Sequence, residues 1–136
     1  MEKTTNNHTT HILGFHIIFC PKYRSMLSEG HCIALRKCFY EIAEEYDWKI
    51  ESLEVALDHV HLFIQANPTD SPADIARTFK SISAIFLFTK FPKLKERKFW
   101  GSGLWSRGTY YSTVGKVAED VVRNYIKSHS SHRTSL

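Results

Sequence analysis

The chain has 136 residues, of which 43% are hydrophobic and 13% aromatic, a composition that suits one globular domain and excludes a disordered chain. Its formal net charge of +4 is a mild basic excess, which favours a nucleic-acid partner without requiring one. No secretion signal is evident, and no apolar run approaches the roughly 18 residues of a membrane span. The three cysteines lack the spacing of a zinc site. We therefore expect a reduced, intracellular protein with no membrane association.

Hydrophobic periodicity predicts seven elements after a polar tail at residues 1–10. Ser28 and Ser71 are the expected N-caps of the first two helices, with Pro72 at the first helical position of the second. The elements in chain order are a strand over 13–20, a helix from Ser28 to about Tyr46, strands over 48–56 and 58–66, a helix that starts at Ser71–Asp74, a strand over 104–114 and a helix over 117–130. A basic, tryptophan-containing loop is predicted over 90–103.

The resulting order β-α-β-β-α-β-α predicts an α+β protein. Its first six elements have the order of the split βαβ fold, a ferredoxin-like or RRM-like sheet with the first and third strands at its centre. Both helices should cover one face of this sheet and leave the other face for function or for a partner. We expect a single domain over residues 11–131, followed by a polar tail at residues 132–136.

The stretch LDHVHLFIQA, residues 57–66, has two histidines within a predicted strand. Side chains alternate along a strand, so His59 and His61 share the open face, where His16 of the first strand is also expected. Residues two apart are roughly 6.6–7 Å apart, so both imidazoles could reach one cation with bonds of about 2.0–2.2 Å. Two half-buried histidines bonded to polar neighbours would have the same spacing, and the pair alone leaves both interpretations open.

The last predicted helix contains a second chemical feature. In VVRNYIKSH, residues 121–129, Tyr125 and His129 are four apart and share one helical face. A phenol and a further potential metal ligand are thus presented together, although a tyrosine of the amphipathic core would fit the same pattern.

Four stretches, taken together, resemble one protein family. They are HIIFCPKYR (16–24), LDHVHLFI (57–64), LWSRGTYYSTVG (104–115) and VVRNYIKSH (121–129). The chain is similar in these stretches to the single-tyrosine HUH (histidine–hydrophobe–histidine) transposases of small insertion sequences, the TnpA type. The resemblance extends over nearly the whole chain, and four motifs in the right order are far more specific than any one of them.

The resemblance implies roles for individual residues. His59 and His61 match the pair that binds a divalent metal, Mg²⁺ or Mn²⁺, and Tyr125 matches the nucleophile. His129 stands where the family often has a glutamine as third ligand, and this departure could shift the preference towards softer ions such as Mn²⁺. Asp58 could orient a histidine from behind or shape the turn before it, and His16 is expected beside the metal site.

The resemblance also implies the reaction and the partners. Family members cleave and rejoin single-stranded DNA at hairpin-marked element ends through a 5′-phosphotyrosine intermediate. They act as dimers in which the tyrosine helix of one subunit often completes the site of the other. We therefore expect single-stranded DNA hairpins as substrate, a homodimer with possible trans active sites, and a cytoplasmic, nucleoid-associated location in a prokaryote.

Basic residues interspersed with aromatic ones predict contacts to DNA phosphates and unpaired bases. The predicted DNA-binding residues are Lys22, Tyr23, Arg24, Lys93, Lys95, Arg97, Lys98, Arg107, Lys116 and Arg123.

Three other functions fit the same fold. A non-catalytic nucleic-acid-binding module would place aromatic residues at the sheet centre, where this sequence has histidines. A relaxase-like nickase would share the chemistry, but such enzymes usually carry extra domains. A domesticated relative that processes chromosomal repeats would have the same residues.

Overall fold

A computed structural model of the chain describes residues 13–23, 27–67, 69–98 and 103–114, which form an α+β fold. The described elements are β1 (Leu13–Phe19), α1 (Glu29–Glu45), β2 (Lys49–Val55), β3 (Val60–Ala66), α2 (Pro72–Lys90), α3 (Pro92–Lys98) and β4 (Tyr110–Val114). The predicted last helix, with Tyr125 and His129, lies outside these residues. In the described part of the chain, no helix is long and apolar enough to cross a membrane.

The four strands form one antiparallel sheet in the order β2-β3-β1-β4. This order confirms the predicted ferredoxin-like arrangement, with the first and third strands at the centre. Ile17 of β1 lies opposite Leu62 of β3, and His16 lies opposite Phe63. Because neighbouring side chains point to opposite faces, this register separates an aliphatic face from a face that carries the histidines.

The aliphatic face packs against the helices and forms the hydrophobic core. Leu35 and Phe39 of α1 and Phe79 of α2 are fully buried there together with Ile17 and Leu62. The Phe39 ring meets the Phe79 ring edge-on, with 5.5 Å between the ring centroids, which is a favourable aromatic geometry. Packing of the helices on this face leaves the histidine face free of α1 and α2.

Both predicted N-caps are confirmed. The Ser28 Oγ accepts a hydrogen bond from the backbone N–H of His31, and the Ser28 backbone N–H donates to His31 Nδ1, so the two residues form a capping box. The Ser71 Oγ accepts from the backbone N–H of Asp74 at 3.1 Å, and Pro72 opens α2. These bonds satisfy amide groups that have no partner within the helix.

The predicted loop over 90–103 is wrong in part, because residues 92–98 form α3. Pro92 suits the first position of a helix, where its missing N–H costs no hydrogen bond. Leu94 is buried against the core, and the Lys95 ammonium lies 5.0 Å from the centre of the Phe88 ring of α2. The sequence did not predict this helix because a single buried apolar residue among lysines gives no hydrophobic periodicity.

Two strand starts were also predicted too early. The fourth strand begins at Tyr110 instead of residue 104, because Trp105 turns into the core, where its indole N–H donates to the Ser83 hydroxyl at 3.0 Å. The third strand begins at Val60 instead of residue 58. The connection from β2 closes with a hydrogen bond from the Ala56 N–H to the His59 carbonyl, so His59 immediately precedes the strand.

We expect the substitution Leu62→Ala to lower the free energy of unfolding by about 2–5 kcal/mol, because it opens a cavity at the sheet centre. Chemical denaturation measures this change. Ile85→Ala on α2 is the control, since Ile85 is 69% exposed and its truncation should change stability by no more than about 0.5 kcal/mol. Equal losses in the two variants would contradict this description of the core.

Candidate metal centre and nucleic-acid interface

Three potential metal ligands converge on the open face of the sheet. Glu54 of β2 lies directly opposite His61 of β3, and His59 adjoins them. The Glu54 Oε1 is 2.9 Å from His61 Nε2 and 3.9 Å from His59 Nε2. The three donor atoms all lie within 4.8 Å of one another. Donors on one cation with bonds of about 2.0–2.2 Å lie no more than about 4.4 Å apart, and both separations from Glu54 fall within this limit.

The orientation of the His59 ring is fixed by its acidic neighbour Asp58. The His59 side chain is buried, and its Nδ1 lies 2.9 Å from the Asp58 carboxylate. An Nδ1–H that donates to this carboxylate leaves the Nε2 lone pair directed towards Glu54 and His61. Many metal-binding histidines have such a carboxylate partner, which fixes the tautomer and the ring. Asp58 thus lies where the sequence predicted, and its role in orienting the ligand stays a prediction.

His61 is set up to remain neutral. Burial lowers its pKa to about 4, although the Glu54 carboxylate acts in the opposite direction. The Nδ1 of His61 is buried and has no hydrogen-bond partner among the described residues. Protonation would leave an N–H at this atom without an acceptor, which agrees with the lowered pKa. A neutral imidazole is the form that binds a metal.

His16 lies beside this cluster and outside the donor set. It is buried in β1, and its ring centroid is 5.7 Å from that of His61 and 6.2 Å from that of Phe63. The sequence prediction of a third histidine on the same patch therefore agrees with the structure in position.

The lowered pKa of His61 makes the stability of the metal-free protein depend on pH. Between the ordinary histidine value of 6.5 and about 4, the unfolded chain binds more protons at this residue than the folded one. The free energy of unfolding should therefore fall as the pH falls through this window, and His61→Gln should flatten the dependence. NMR titration of His61 and denaturation at several pH values measure the two effects. A His61 resonance that titrates at or above pH 6.5 would contradict this prediction.

A second surface lies on the helix side of the sheet. A groove of about 650 Å³ separates α2 from β4 and the loop before it, and Arg77, Lys80, Arg107 and Tyr111 are among its lining residues. The Lys80 ammonium donates to the Ser106 carbonyl at 3.0 Å and to the Thr109 hydroxyl at 2.9 Å, which ties this loop to α2. The Arg107 side chain is exposed and available to an anionic partner.

The predicted DNA-binding residues fall into three groups. Lys22 and Tyr23 are exposed after β1, Arg107 borders the groove, and Lys93 and Lys95 are exposed on α3. Arg97 and Lys98 belong to the end of the same helix. Arg24, Lys116 and Arg123 lie outside the described residues.

Sequence reasoning missed Glu54 as a member of the cluster. A signal for it existed, because β2 and β3 are joined by a short connection. Once residues 55 and 60 are paired across that connection, residue 54 falls opposite residue 61. The spacing of the histidines along β3 does not by itself indicate which residue of β2 lies opposite them.

Comparison with known proteins identifies a matching family and similar transposases. Residues 9–129 match the family model described as "Transposase IS200 like". The chain is 33% identical to the ISDra2 transposase TnpA of Deinococcus radiodurans over 117 residues, which cover 85% of this chain and 83% of the relative. It is 31% identical to the transposase of the insertion sequence element IS200 of Salmonella typhimurium over 88% of this chain and 78% of the relative.

Two solved structures have the same fold. A candidate transposase from Deinococcus radiodurans R1 superposes with a TM-score of 0.72 at 28% identity, over 90% of this chain and 94% of the other. A REP-associated tyrosine transposase bound to a REP hairpin superposes with a TM-score of 0.58 at 16% identity, over 82% of this chain and 61% of the other.

The family match, together with a ferredoxin-like sheet that carries a histidine pair, places the chain in the class of HUH-type DNA-processing proteins. The chain belongs to the family of IS200-like transposases and is a DNA transposase.

Proposed function

We propose that this transposase cleaves and rejoins single-stranded DNA at hairpin-marked element ends, with a divalent metal ion and through a 5′-phosphotyrosine intermediate. The observation that carries the proposal is the cluster of Glu54, His59 and His61 on the open face of the sheet. DNA strand transfer proceeds by attack on a phosphate. A cation at this position would stabilise the negative charge that develops on that phosphate.

Residues of the sheet and of the C-terminal segment would together bind the cation. His59 and His61 hold the cation as neutral ligands, with Asp58 orienting His59 through the 2.9 Å contact. His129 is proposed as a further ligand from the C-terminal segment. A cation bound here supplies Lewis acidity to the scissile phosphate, and Mn²⁺ or Mg²⁺ suits a donor set of imidazole and carboxylate.

Tyr125 is the proposed nucleophile. Its phenol oxygen forms a bond to phosphorus as the bond to the 3′-oxygen breaks, so that the phenol loses a proton and the 3′-oxygen gains one. A phenol titrates near pH 10, and a nearby cation would favour its deprotonated form. The phosphotyrosine keeps the energy of the phosphodiester, so a 3′-hydroxyl can reverse the step without an external energy source.

The DNA would be held by the exposed cations and aromatic groups around the site. Arg107 at the groove, Lys22 with Tyr23, and the lysines of α3 supply phosphate contacts and a stacking surface. The REP-associated tyrosine transposase of the same fold was solved with a hairpin, which supports a hairpin as substrate. We further propose a homodimer in which Tyr125 of one subunit can serve the partner's site, with residues 11–131 as the domain.

The substitution Tyr125→Phe should abolish covalent attachment to DNA, because it removes only the attacking oxygen. The protein is incubated with Mn²⁺ or Mg²⁺ and labelled single-stranded hairpin DNA from the ends of the element, and the adduct is resolved on a denaturing gel. Tyr40→Phe is the control, since Tyr40 is exposed on α1. Tight binding by the wild type with no adduct under either metal would contradict the proposal and favour a binding module.

Removal of the Arg107 charge should weaken DNA binding. We expect Arg107→Gln to reduce affinity for hairpin DNAs of different sequence to a similar extent and to lower the slope of log K against log salt by about 1, as one phosphate contact is lost. Fluorescence anisotropy at several salt concentrations measures both quantities. Lys37→Gln on α1 loses the same charge away from the groove and should leave the slope unchanged. Equal effects in the two variants would argue against a contact by Arg107.

A further inference from the structure

We propose that Tyr110 stacks against an unpaired base of the DNA strand whose phosphate lies at the candidate metal centre. This inference rests on the proposed function, because it assumes that a single-stranded substrate reaches the cluster of Glu54, His59 and His61. It assigns a binding role to a residue that the sequence did not single out and that lies on β4, across the sheet from β2.

Strand pairing places Tyr110 in one row with the metal centre. Tyr110 of β4 lies opposite Ile18 of β1, and Ile18 lies opposite His61 of β3. Directly opposed residues of paired strands point to the same face, so these three side chains share the open face. Neighbouring strands are about 4.8 Å apart, so the Tyr110 backbone is about 10 Å from that of His61. A DNA strand that runs from the metal centre across β1 therefore passes the Tyr110 ring.

The exposure of Tyr110 also suits a stacking residue. Tyr110 is 40% exposed, and a tyrosine ring with only two side-chain torsions loses little conformational entropy on stacking. The next residue, Tyr111, is 41% exposed but lies opposite Ile17, which is fully buried in the core. Tyr111 therefore points to the helix side, where it lines the groove beside α2. Of these two neighbours, Tyr110 is the one that shares a face with the metal centre.

Charge favours a path of the DNA strand from the metal centre towards β4 over a path towards β2. The β2 strand, KIESLEV, has one lysine and two glutamates and so carries a net negative charge, which repels phosphates. Residues 103–114 contain Arg107 and no acidic residue. Lys22 is exposed beside this segment, and its backbone N–H donates to the Leu104 carbonyl at 2.7 Å. Phosphates attracted by these cations would bring the adjoining bases to the β4 side of the site.

Two other roles of Tyr110 differ from stacking in what they predict. Its hydroxyl would donate a hydrogen bond to a phosphate, or its ring would only pack against Ile18. The substitution Tyr110→Phe removes the hydroxyl and keeps the ring, so it separates the first role from stacking. An abasic nucleotide removes the stacking partner from the DNA, and loss of the ring then has no further effect. A packing defect would instead weaken the binding of intact and abasic DNA equally.

The test measures binding of hairpin DNA that includes the unpaired cleavage region, by fluorescence anisotropy with Mg²⁺. Every protein also carries Tyr125→Phe, so that the strand is not cleaved during the measurement. We expect Tyr110→Ala to weaken binding at least about fivefold and Tyr110→Phe to change it by less than about twofold. The unpaired nucleotides that flank the cleaved bond are then made abasic one at a time. At one of these positions the difference between Tyr110→Ala and its parent should disappear.

Tyr111→Ala is the matched control, since it removes the same ring with nearly the same exposure from the other face of β4. Its effect on binding should not depend on any abasic position. The same dependence in Tyr111→Ala would overturn the assignment of Tyr110. An equal loss for intact DNA and for every abasic DNA in Tyr110→Ala would also overturn it, as would an equal loss in Tyr110→Phe.

Formation of a covalent adduct by the protein with Tyr125 intact, on the same DNA, tests the proposed function separately. An adduct together with any of these contrary results would overturn the stacking role of Tyr110 and leave the proposed function supported. Absence of both DNA binding and an adduct would overturn both proposals.

Discussion

The pairing of β3 with β1 on one side and β2 on the other is the constraint on which the site depends. This register faces Leu62 and Ile64 towards the helices and His61 towards the open side. A slip of one residue would exchange the two faces, placing imidazole among aliphatic groups and removing leucine from the core. The hydrophobic free energy of the core therefore maintains the geometry of the polar cluster, although the two share no side chain.

The environment of the polar cluster favours the neutral form of the His61 imidazole. Burial disfavours the imidazolium form of His61, while the carboxylate of Glu54 favours it, and burial is the larger effect. The carboxylates of Asp58 and Glu54 lie on either side of the histidine pair, one against Nδ1 of His59 and the other towards both Nε2 atoms. The neutral form of His61 that burial favours is the form of imidazole that binds a divalent cation.

The two faces of the sheet are specialised in different ways. The open face carries the candidate metal centre, whereas the helix side carries the core and, near β4, a groove bordered by Arg107. The loop that leads into β4 is held on the helix side, because Trp105 anchors it in the core and the Lys80 ammonium of α2 donates to its Ser106 carbonyl and Thr109 hydroxyl. This anchoring fixes the backbone of the loop, and with it the position of the exposed Arg107 at the border of the groove.

Much of this protein was determined by sequence alone. Alternating and helical periodicities predicted the element order, the central strands and both N-caps, because burial of one face imposes a regular spacing on local sequence. The His59–His61 spacing predicted a shared face for the same reason. Tertiary structure decided the rest: α3, whose single buried leucine gives no periodicity; the late start of β4, where Trp105 turns into the core; and the proximity of Glu54 to both histidines. That proximity depends on which residues face each other across the β2–β3 connection, and the spacing of the histidines alone does not indicate it.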